Sequence, residues 1–486
     1  MRLQLSATGW VALQNLFAQV FGLALFALQA PLLGPRAFGL ITIVMIFVGF
    51  CEFVLEIAAT EGLVSVRDIE PAHYATMTTL NGAIALVLGL VVAGAAGPIA
   101  QLFSEPDLVP VLRVMAVLPL MSALLSAPNA ATRRAMEFRP LAIRTIFSIA
   151  TGGSVGLILS FLGYGVWALV WQAVIQRALN VGILWAIVPI RFSLGFSRRH
   201  FAELWRYTGP MLVSQVMTWG AGQIPRFILG FYLGAAELGL FSLASRLNEI
   251  LLQLTLSPRF AVARMEMQRH RDQAEGLEAA LRGVLRDMAV LCFPMCIGAA
   301  ALMAPLFRLW LDERWAGGVF TAQIMMLTCL PYVTHYALST ALLGLGRQGL
   351  VAFNSAIQTA ITAVLTLIFA PLGLNAAASS IAVRPLLTAP LPALQLARLQ
   401  RVSPAGVLTA QLPLLSCAIV MGVTVFAAEH VLRPLLPVGI VFPLLVLVGV
   451  VLYGALALRV EPQAVAPYRQ RALALWAKLR RNRSAG

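Results

Sequence analysis

Long apolar stretches, separated by short segments rich in Gly, Pro and Arg, run along almost the whole chain of 486 residues. A helix of about 20 apolar residues is long enough to cross the hydrocarbon core of a bilayer. The pattern therefore predicts an all-α polytopic membrane protein with about fourteen transmembrane helices. Their expected ranges are 8–30, 37–60, 74–100, 107–130, 140–161, 164–190, 206–233, 235–258, 284–310, 316–343, 350–371, 373–397, 405–428 and 435–458.

Basic residues are distributed unevenly between the loops on the two sides of these spans. If the N-terminus is cytoplasmic, the outer loops hold only Arg36, Arg308, Arg314 and Arg433, and most other basic residues lie in inner segments. Basic residues favour cytoplasmic loops, and a missed or additional span would reverse every later loop and remove this bias. We therefore expect a multi-pass protein of the inner (cytoplasmic) membrane with both termini in the cytoplasm.

The composition excludes several classes of protein. Hydrophobic residues make up 60% of the chain and charged residues 11%, against about 25% charged residues in soluble domains. The net charge of +15 comes from basic residues dispersed over short loops, so we expect no nucleic-acid partner. The first residues have neither the basic region nor the cleavage site of a signal peptide, so the first apolar stretch should remain a helix.

Motifs for catalysis and for cofactor binding are absent from the sequence. It contains no GxxxxGK[ST], G-x-S-x-G or HExxH motif. All five cysteines lie in apolar stretches, and Cys292 and Cys296 have no nearby His or acid to complete a metal site. The predicted outer loops are too short to hold an external catalytic domain. We therefore expect a protein that is not an enzyme, with no catalytic residues, metal or cofactor.

Two parts of the chain match at nearly constant spacing, which suggests an internal repeat, although a glycine-rich bundle could produce such matches by chance. The matching pairs are 33–40 with 233–240, Asn15 with Gln215, Gly22 with Gly222, 138–140 with 346–348, and Gly165 with Gly373. Two parallel six-helix halves are typical of some transporters, with the substrate bound between them. The predicted parts are an N-terminal lobe of spans 1–6 (1–200), a C-terminal lobe of spans 7–12 (201–400), two additional helices (401–460) and a basic cytoplasmic tail (461–486).

Four predicted spans carry polar residues at helical spacing, which places them along one face of each helix. A charge in the bilayer core costs at least ~2.5–3.5 kcal/mol, so these faces should turn toward protein or water. A water-filled cavity lined by spans 1, 2, 7 and 8 is therefore expected. The polar stripes are Asn15, Gln19, Gly22 and Gln29 in span 1, Glu52 and Glu56 in span 2, Gln215, Thr218, Gly222 and Arg226 in span 7, and Ser242, Arg246, Glu249 and Gln253 in span 8.

Positive charge predominates within the spans, where Arg113, Arg144, Arg177, Arg226, Arg246 and Arg384 stand against Glu52, Glu56 and Glu249. Such an excess suits phosphate, pyrophosphate or acidic sugars, which Arg can bind bidentately. The candidate substrate-binding residues are Arg226, Arg246, Arg177, Gln215, Asn15 and Gln19. The candidates for orienting these residues or for binding a coupling cation or proton are Glu52, Glu56 and Glu249.

Structural roles remain open for several of these residues. Arg246 and Glu249 are close enough on one helix to form an ion pair. Glu52 or Glu56 could instead neutralise Arg226. Arg144 lies near enough to the inner surface for its side chain to snorkel to it.

Five segments carry a resemblance to a known family: 32–40, 133–142, 163–170, 233–247 and 306–315. They resemble segments of the Wzx-type oligosaccharide flippases, which carry repeat units of lipopolysaccharide or exopolysaccharide. These flippases form the polysaccharide-transport branch of the superfamily that also holds multidrug exporters and lipid II flippases. The resemblance covers about residues 8–400.

The resemblance implies two lobes in a V-shaped, MATE-like bundle around a central cavity. It implies as cargo an undecaprenyl-pyrophosphate-linked glycan, moved from the inner to the outer leaflet by alternating access for surface polysaccharide biosynthesis. Membrane lipids, a polysaccharide polymerase and export components are the other implied partners. Spans 13 and 14 resemble a pair that helps to form a lipid-tail groove in lipid II flippases. Residues 222–226 depart from the Asn- or Asp-containing pattern of relatives.

Three other functions remain open. A multidrug or small-molecule cation antiporter of the same superfamily would require acids to dominate the cavity, which the charge excess contradicts. A membrane enzyme would need larger outer loops and catalytic motifs. A non-transporting scaffold would not need polar stripes within the membrane. The flippase is therefore the favoured function.

Overall fold

A computed structural model describes residues 6–66, 68–188, 194–269, 274–400, 402–466 and 468. Every regular element among these residues is helical, as the sequence predicts. The chain divides into two compact units, Met1–Gly239 and Leu240–Gly486. The predicted basic tail lies outside the described residues from position 469 onward.

The described residues of the first unit form seven α-helices and the first part of an eighth. Ser6 caps the first of them, accepting a hydrogen bond from the Gly9 amide at 3.2 Å, and Pro71 occupies the first turn of the second, where no amide partner is needed. The helices are α1 (Ala7–Ser65), α2 (Pro71–Gly94), α3 (Ala96–Leu102), α4 (Leu108–Met115), α5 (Leu118–Arg134), α6 (Phe138–Phe161), α7 (Val166–Ile187) and α8 (Arg198–Thr255).

Helix α1 is a hairpin of two helical arms rather than one straight rod. Gly34 has φ 75° and ψ 171°, a conformation outside the helical region that favours glycine. The rings of Phe26 and Phe38 lie 5.2 Å apart, whereas residues so spaced on a straight helix would be separated by about 18 Å. The chain therefore reverses direction at Gly34.

Helix α8 reverses in the same way. Gly234 has φ 79° and ψ −178°, and a Cβ placed on Gly230 would lie 3.2 Å from a Leu238 methyl carbon. These two residues would be about 12 Å apart along a straight helix. Gly34 and Gly234 thus form equivalent turns 200 positions apart, which supports the repeat at that offset.

A second set of turns supports the repeat but corrects one alignment. Gly165 and Gly373 both directly precede a helix, in agreement with the sequence match. The preceding helices, however, start at Phe138 and Gln348. Phe138 therefore corresponds to Gln348 rather than to the expected Gly346. The reason is that the second copy is two residues shorter between this helix start and the following glycine.

In the described part of the second unit, the end of α8 is followed by ten further α-helices. Two short 3₁₀ helices, Glu313–Gly318 and Ala370–Leu372, connect some of them. The α-helices are α9 (Ser257–Arg269), α10 (Ala274–Trp310), α11 (Val319–Leu327), α12 (Cys329–Gly344), α13 (Gln348–Phe369), α14 (Leu374–Thr388), α15 (Pro390–Gln400), α16 (Pro404–Thr409), α17 (Leu412–Leu432) and α18 (Val438–Val460).

Eleven helices in the described ranges are long and apolar enough to cross a membrane. Two of them, Ala7–Val64 and Gln215–Thr255, contain the hairpin turns at Gly34 and Gly234. The predicted span 373–397 is divided instead into α14 and α15, which meet at Ala389. The polytopic fold is confirmed, whereas the count of fourteen spans stays a prediction.

Candidate functional site

A polar cavity of about 220 Å³ lies inside the first unit. Parts of α1, α5, α6 and α7 surround it, and these helices pack closely on one another. Its lining combines two carboxylates, two guanidiniums and several hydroxyl and amide groups: Glu52, Glu56, Ser122, Ser126, Asn129, Arg144, Thr145, Gln176, Arg177 and Asn180, with Leu125 and Ile149.

Glu52 is the most enclosed charged group of this cavity, with 8% of the residue exposed. Arg177 Nη2 lies 2.5 Å from its Oε1, and the Ser122 hydroxyl donates a hydrogen bond of 2.6 Å to the same oxygen. A buried carboxylate is stable only when such partners replace its lost hydration. The ion pair links α1 to α7, and the hydroxyl links it to α5.

The second cation of the cavity is Arg144. Its Nη1 donates to Asn129 Oδ1 at 2.7 Å, and its buried Nε has no hydrogen-bond partner. The expectation that this side chain snorkels to the inner surface is therefore wrong. The hydrogen bond to Asn129 of α5 holds the guanidinium in the protein interior.

Glu56 marks the more open side of the cavity. Its side chain is 60% exposed and its Oε1 lies 3.8 Å from Arg133 Nη2. An ion pair so exposed contributes little to stability. Glu52 and Glu56, one turn apart on α1, therefore differ in environment: Glu52 is buried and tightly bonded, and Glu56 is accessible.

The polar residues that α5 contributes to the cavity were not among the predicted site residues. Ser122, Ser126 and Asn129 follow one another at helical spacing, the same signal that selected the other stripes. Ser126 accepts a hydrogen bond of 2.8 Å from the fully buried Asn81 amide, which also donates to the Leu55 carbonyl. The stripe is weak in the sequence because hydroxyl groups are common in apolar helices, where they can bond to their own backbone.

The other predicted site residues of the first unit lie outside this cavity. Asn15 and Gln19 are exposed on α1, and Gln215 is partly buried on α8. Arg226 lies partly buried one turn from Gln223, whose side-chain oxygen accepts from Arg226 Nη1 at 3.4 Å. Of the nine candidate residues, the structure thus brings three together in the cavity.

The remaining two candidates belong to the second unit. Arg246 Nη1 lies 3.5 Å from Glu249 Oε2 on the same helix, and both side chains are more than two fifths exposed. This is the ion pair that their spacing predicts. Its exposure leaves both groups accessible to a ligand.

The two hairpin turns of the first unit pack on one another reciprocally. A Cβ on Gly39 would overlap the Ala235 carbonyl oxygen, and a Cβ on Gly239 would overlap the Pro35 carbonyl oxygen. The two contacts are related by the 200-residue repeat. Only glycine permits backbones to approach so closely.

An apolar cleft of about 820 Å³ lies in the second unit between α10, α17 and α18. On α18 its lining runs from Phe442 to Leu458, about 24 Å of helix, against a hydrocarbon thickness of about 30 Å. Its residues are almost all aliphatic, with Gly449 and Gly454 widening it. Such a cleft matches a hydrocarbon chain in length and chemistry.

Polar groups close one end of this cleft. The Tyr468 hydroxyl, which also lines the cleft, donates to the Asp287 carboxylate and accepts from Arg259 Nη2 at 3.1 Å. Arg259 Nε in turn lies 3.1 Å from Asp287 Oδ2. Burial and the bond to Asp287 raise the pKa of the Tyr468 hydroxyl above its usual value, so the hydroxyl remains a donor at neutral pH.

The chain is similar to proteins of polysaccharide assembly. The family model described as polysaccharide biosynthesis protein matches residues 28–319. The succinoglycan biosynthesis transport protein ExoT of Rhizobium meliloti is 27% identical over 311 residues, 63% of this chain and 62% of ExoT. The teichuronic acid biosynthesis protein TuaB of Bacillus subtilis is 18% identical over 349 residues, 71% of this chain and 72% of TuaB. The chain thus spans less than two thirds of the length of ExoT.

Two solved structures share the fold. The lipid II flippase MurJ in an inward closed conformation matches with a TM-score of 0.74 and 14% identity, covering 92% of this chain and 97% of MurJ. A MATE multidrug resistance transporter in an inward-facing conformation matches with a TM-score of 0.59 and 15% identity, covering 82% of this chain and all of the transporter. The MATE-like fold is confirmed. Because the relatives are transporters and flippases, the expectation that the chain is not an enzyme is confirmed as well.

Proposed function

Because the chain belongs to the polysaccharide biosynthesis protein family, we propose that it is a flippase for a polyprenyl-pyrophosphate-linked oligosaccharide. It would move this lipid from the inner to the outer leaflet for biosynthesis of a surface polysaccharide. The observation that carries the proposal is that one membrane protein contains both a charged, hydrogen-bonding cavity and a long apolar cleft. An amphiphilic lipid-linked glycan needs both.

The polar part of the cargo would be bound by arginines of the polar stripes. Arg226 and Arg246 are assigned to the pyrophosphate or to acidic sugars, since guanidinium binds such oxyanions bidentately. The accessible ion pair of Arg246 supports this role. Asn15, Gln19 and Gln215 would donate and accept hydrogen bonds from sugar hydroxyls.

Arg177 is assigned to the cargo, and its acidic neighbours are assigned to orienting it or to binding a coupling cation or proton. Glu52 pairs with Arg177 in the polar cavity, and Glu56 lies at its more open side. A proton or cation arriving at Glu52 would weaken the pair and free the Arg177 guanidinium for the cargo. Glu249 would play the corresponding orienting role beside Arg246.

The lipid tail would lie in the apolar cleft of the second unit. Apolar surface gains about 25 cal/mol for each Å² that is removed from water, so a polyprenyl chain would displace any water that enters the cleft. The apolar walls of the cleft would exclude the polar end of the lipid, and the polar cluster of Tyr468, Arg259 and Asp287 marks one end of the cleft. The cleft thus supplies a track for the tail alone.

Alternating access would come from movement of the lobes predicted at 1–200 and 201–400. The reciprocal contact of Gly39 with Ala235 and of Gly239 with Pro35 would close one side of the pathway and separate when that side opens. We place the protein in the inner membrane with cytoplasmic termini, on the bias of its basic residues. A polysaccharide polymerase and export components would take over the translocated unit.

A deletion strain provides the direct test. Its polyprenyl-pyrophosphate-linked oligosaccharides would be quantified, together with their accessibility to a glycosidase added outside spheroplasts. Complete units that accumulate in the inner leaflet, and are cleared when the intact chain is restored, would support the flippase.

Two other results would contradict the flippase proposal. One is normal surface polysaccharide with an unchanged lipid pool, and dye retention in the same strain would then indicate a small-molecule cation antiporter. Accumulation in the outer leaflet would place the missing step after translocation.

A further inference from the structure

A second polar cluster lies inside the second unit, around Arg384 of α14. Arg384 Nη1 donates to the Thr362 hydroxyl of α13 at 3.2 Å. Tyr332 and His335 of α12 are close enough for the charge of Arg384 to act on both. Gln358 lies one turn before Thr362, on the same face of α13. Three helices therefore converge on one guanidinium.

Three nitrogens of this cluster have no hydrogen-bond partner although they are shielded from solvent: Arg384 Nε, Gln358 Nε2 and His335 Nδ1. His335 is only 8% exposed. Two of these nitrogens are obligate donors, and imidazole can present a third N–H at Nδ1. Buried donors are nearly always paired, because leaving one unpaired costs about 1–3 kcal/mol. The cluster therefore has the chemistry to hold an acceptor.

The charge of Arg384 is also uncompensated by protein. Among the described residues, no carboxylate pairs with it, whereas Arg177, on the helix of the first unit that also follows a positive-φ glycine, pairs with Glu52. At the 200-residue offset of the hairpin turns, the position of Glu52 is occupied by Leu252. Arg384 thus lacks the kind of carboxylate partner that Arg177 has.

We propose that Arg384, His335 and Gln358 bind a small monovalent anion, a halide or a carboxylate, in the interior of the second unit. The anion accepts hydrogen bonds from the three nitrogens and neutralises the guanidinium, as Glu52 does for Arg177. A halide accepts from all three donors at once, and a carboxylate can in addition align with the guanidinium fork. This site lies apart from the residues assigned to the cargo and does not depend on the flippase function.

Thermal unfolding of the purified full-length chain in detergent tests the site. The melting temperature is measured in sodium chloride, sodium formate and sodium gluconate at equal ionic strength, since gluconate is too large to enter. We expect chloride, formate or both to raise the melting temperature saturably by about 2 °C or more over gluconate. Arg384→Gln should remove this dependence. Arg398→Gln, the same change at an exposed position of the same unit, should preserve it.

Each result of these melting experiments either supports or overturns the anion site. Stabilisation that Arg384→Gln abolishes supports the site, and the stronger probe identifies its ligand as a halide or a carboxylate. If Arg384→Gln does not fold, His335→Gln and Gln358→Leu keep the charge and should each raise the half-saturating anion concentration about fivefold, the worth of one hydrogen bond. Equal melting temperatures in the three salts, or anion stabilisation unchanged in all three variants, would overturn the proposal.

Discussion

Arg177 Nη2 lies 2.5 Å from Glu52 Oε1, so the charge of the sixth predicted span is neutralised by the second span of the same unit. The pair forms one wall of the polar cavity, and Ser122 completes the bonding of the carboxylate. The contact identifies which of the predicted charged residues interact. Variants of these two residues therefore test their roles most directly.

Removing one member of this pair should lower the free energy of unfolding more than removing both charges does. Arg177→Met leaves the Glu52 carboxylate buried without its cation. Because 31% of the Arg177 side chain is exposed, we expect the free energy of unfolding to fall by about 2 kcal/mol, less than for breaking a fully buried pair. The double variant Glu52→Gln/Arg177→Met should recover most of it. Thermal unfolding of the single and double variants measures the coupling, and equal losses in the two would contradict a direct pair.

Glu52→Gln alone should reduce transport more than it reduces stability. The amide keeps the shape of the carboxylate and can still accept from Ser122, but it can no longer release Arg177 on protonation. Polysaccharide output, normalised to membrane abundance, measures the effect. Glu313→Gln, on an exposed 3₁₀ turn of the second unit, is the matched control and should retain full output.

Arg246→Ala should lower polysaccharide output at least about tenfold, because one charge-assisted hydrogen bond is worth about 1.5–3 kcal/mol. Its abundance should hardly change, since the side chain is 43% exposed and its ion pair with Glu249 contributes little. Arg264→Gln, an exposed arginine of α9, controls for the loss of one positive charge. Normal output from Arg246→Ala would remove this residue from the site.

Alanine at Gly39 or at Gly239 should prevent the reciprocal turn contact, because its methyl group would overlap a backbone oxygen. If that contact closes one side of the pathway, either variant should shift the protein toward the conformation open there and reduce transport. Labelling of cysteines introduced near the turns, with the native cysteines replaced, reports accessibility. Gly22→Ala and Gly222→Ala, with no heavy atom within 4 Å of the added Cβ, should behave like the native protein.

Filling the apolar cleft should impair transport of a long-tailed lipid. Gly454 lines the cleft, whereas Gly439 on the same helix does not, and a Cβ added at either glycine would have no heavy atom within 4 Å. Gly454→Leu should therefore reduce output and Gly439→Leu should not. Equal activity of the two variants would argue that the tail stays in the bilayer.

The contact between the start of α8 and α2 should loosen in acid. His73 and then Arg199 lower the pKa of the Glu203 carboxyl below its usual range, with His73 Nε2 3.1 Å from Glu203 Oε2. A lowered pKa means that this contact stabilises the fold above the ordinary carboxyl pKa and is lost as the pH falls through the lowered one. The difference in melting temperature between the native protein and Glu203→Gln should accordingly shrink as the buffer is acidified, and a constant difference would contradict it.

Much of the architecture could be predicted because it depends on the order of residues that are close together in the sequence. Apolar stretches of bilayer length identify spanning helices without knowledge of their neighbours, and the match of 33–40 with 233–240 anticipated the equivalent turns at Gly34 and Gly234. The breaks inside several spans were not predicted: 74–100 and 107–130 are each divided between two helices, and so is 373–397. In 373–397 the hydrophobicity is continuous, but the prolines at 385 and 390 limit regular backbone bonding.

A helical, multi-pass protein with charged faces within its spans follows from the order of residues alone, because helical periodicity and the length of apolar stretches are properties of neighbouring residues. Which of those charges meet depends on the folded arrangement of the helices. Glu52 of α1 bonds Arg177 of α7 and Ser122 of α5, and Arg144 of α6 bonds Asn129 of α5. These partners lie on different helices, and the spacing of residues in the sequence does not specify how helices pack.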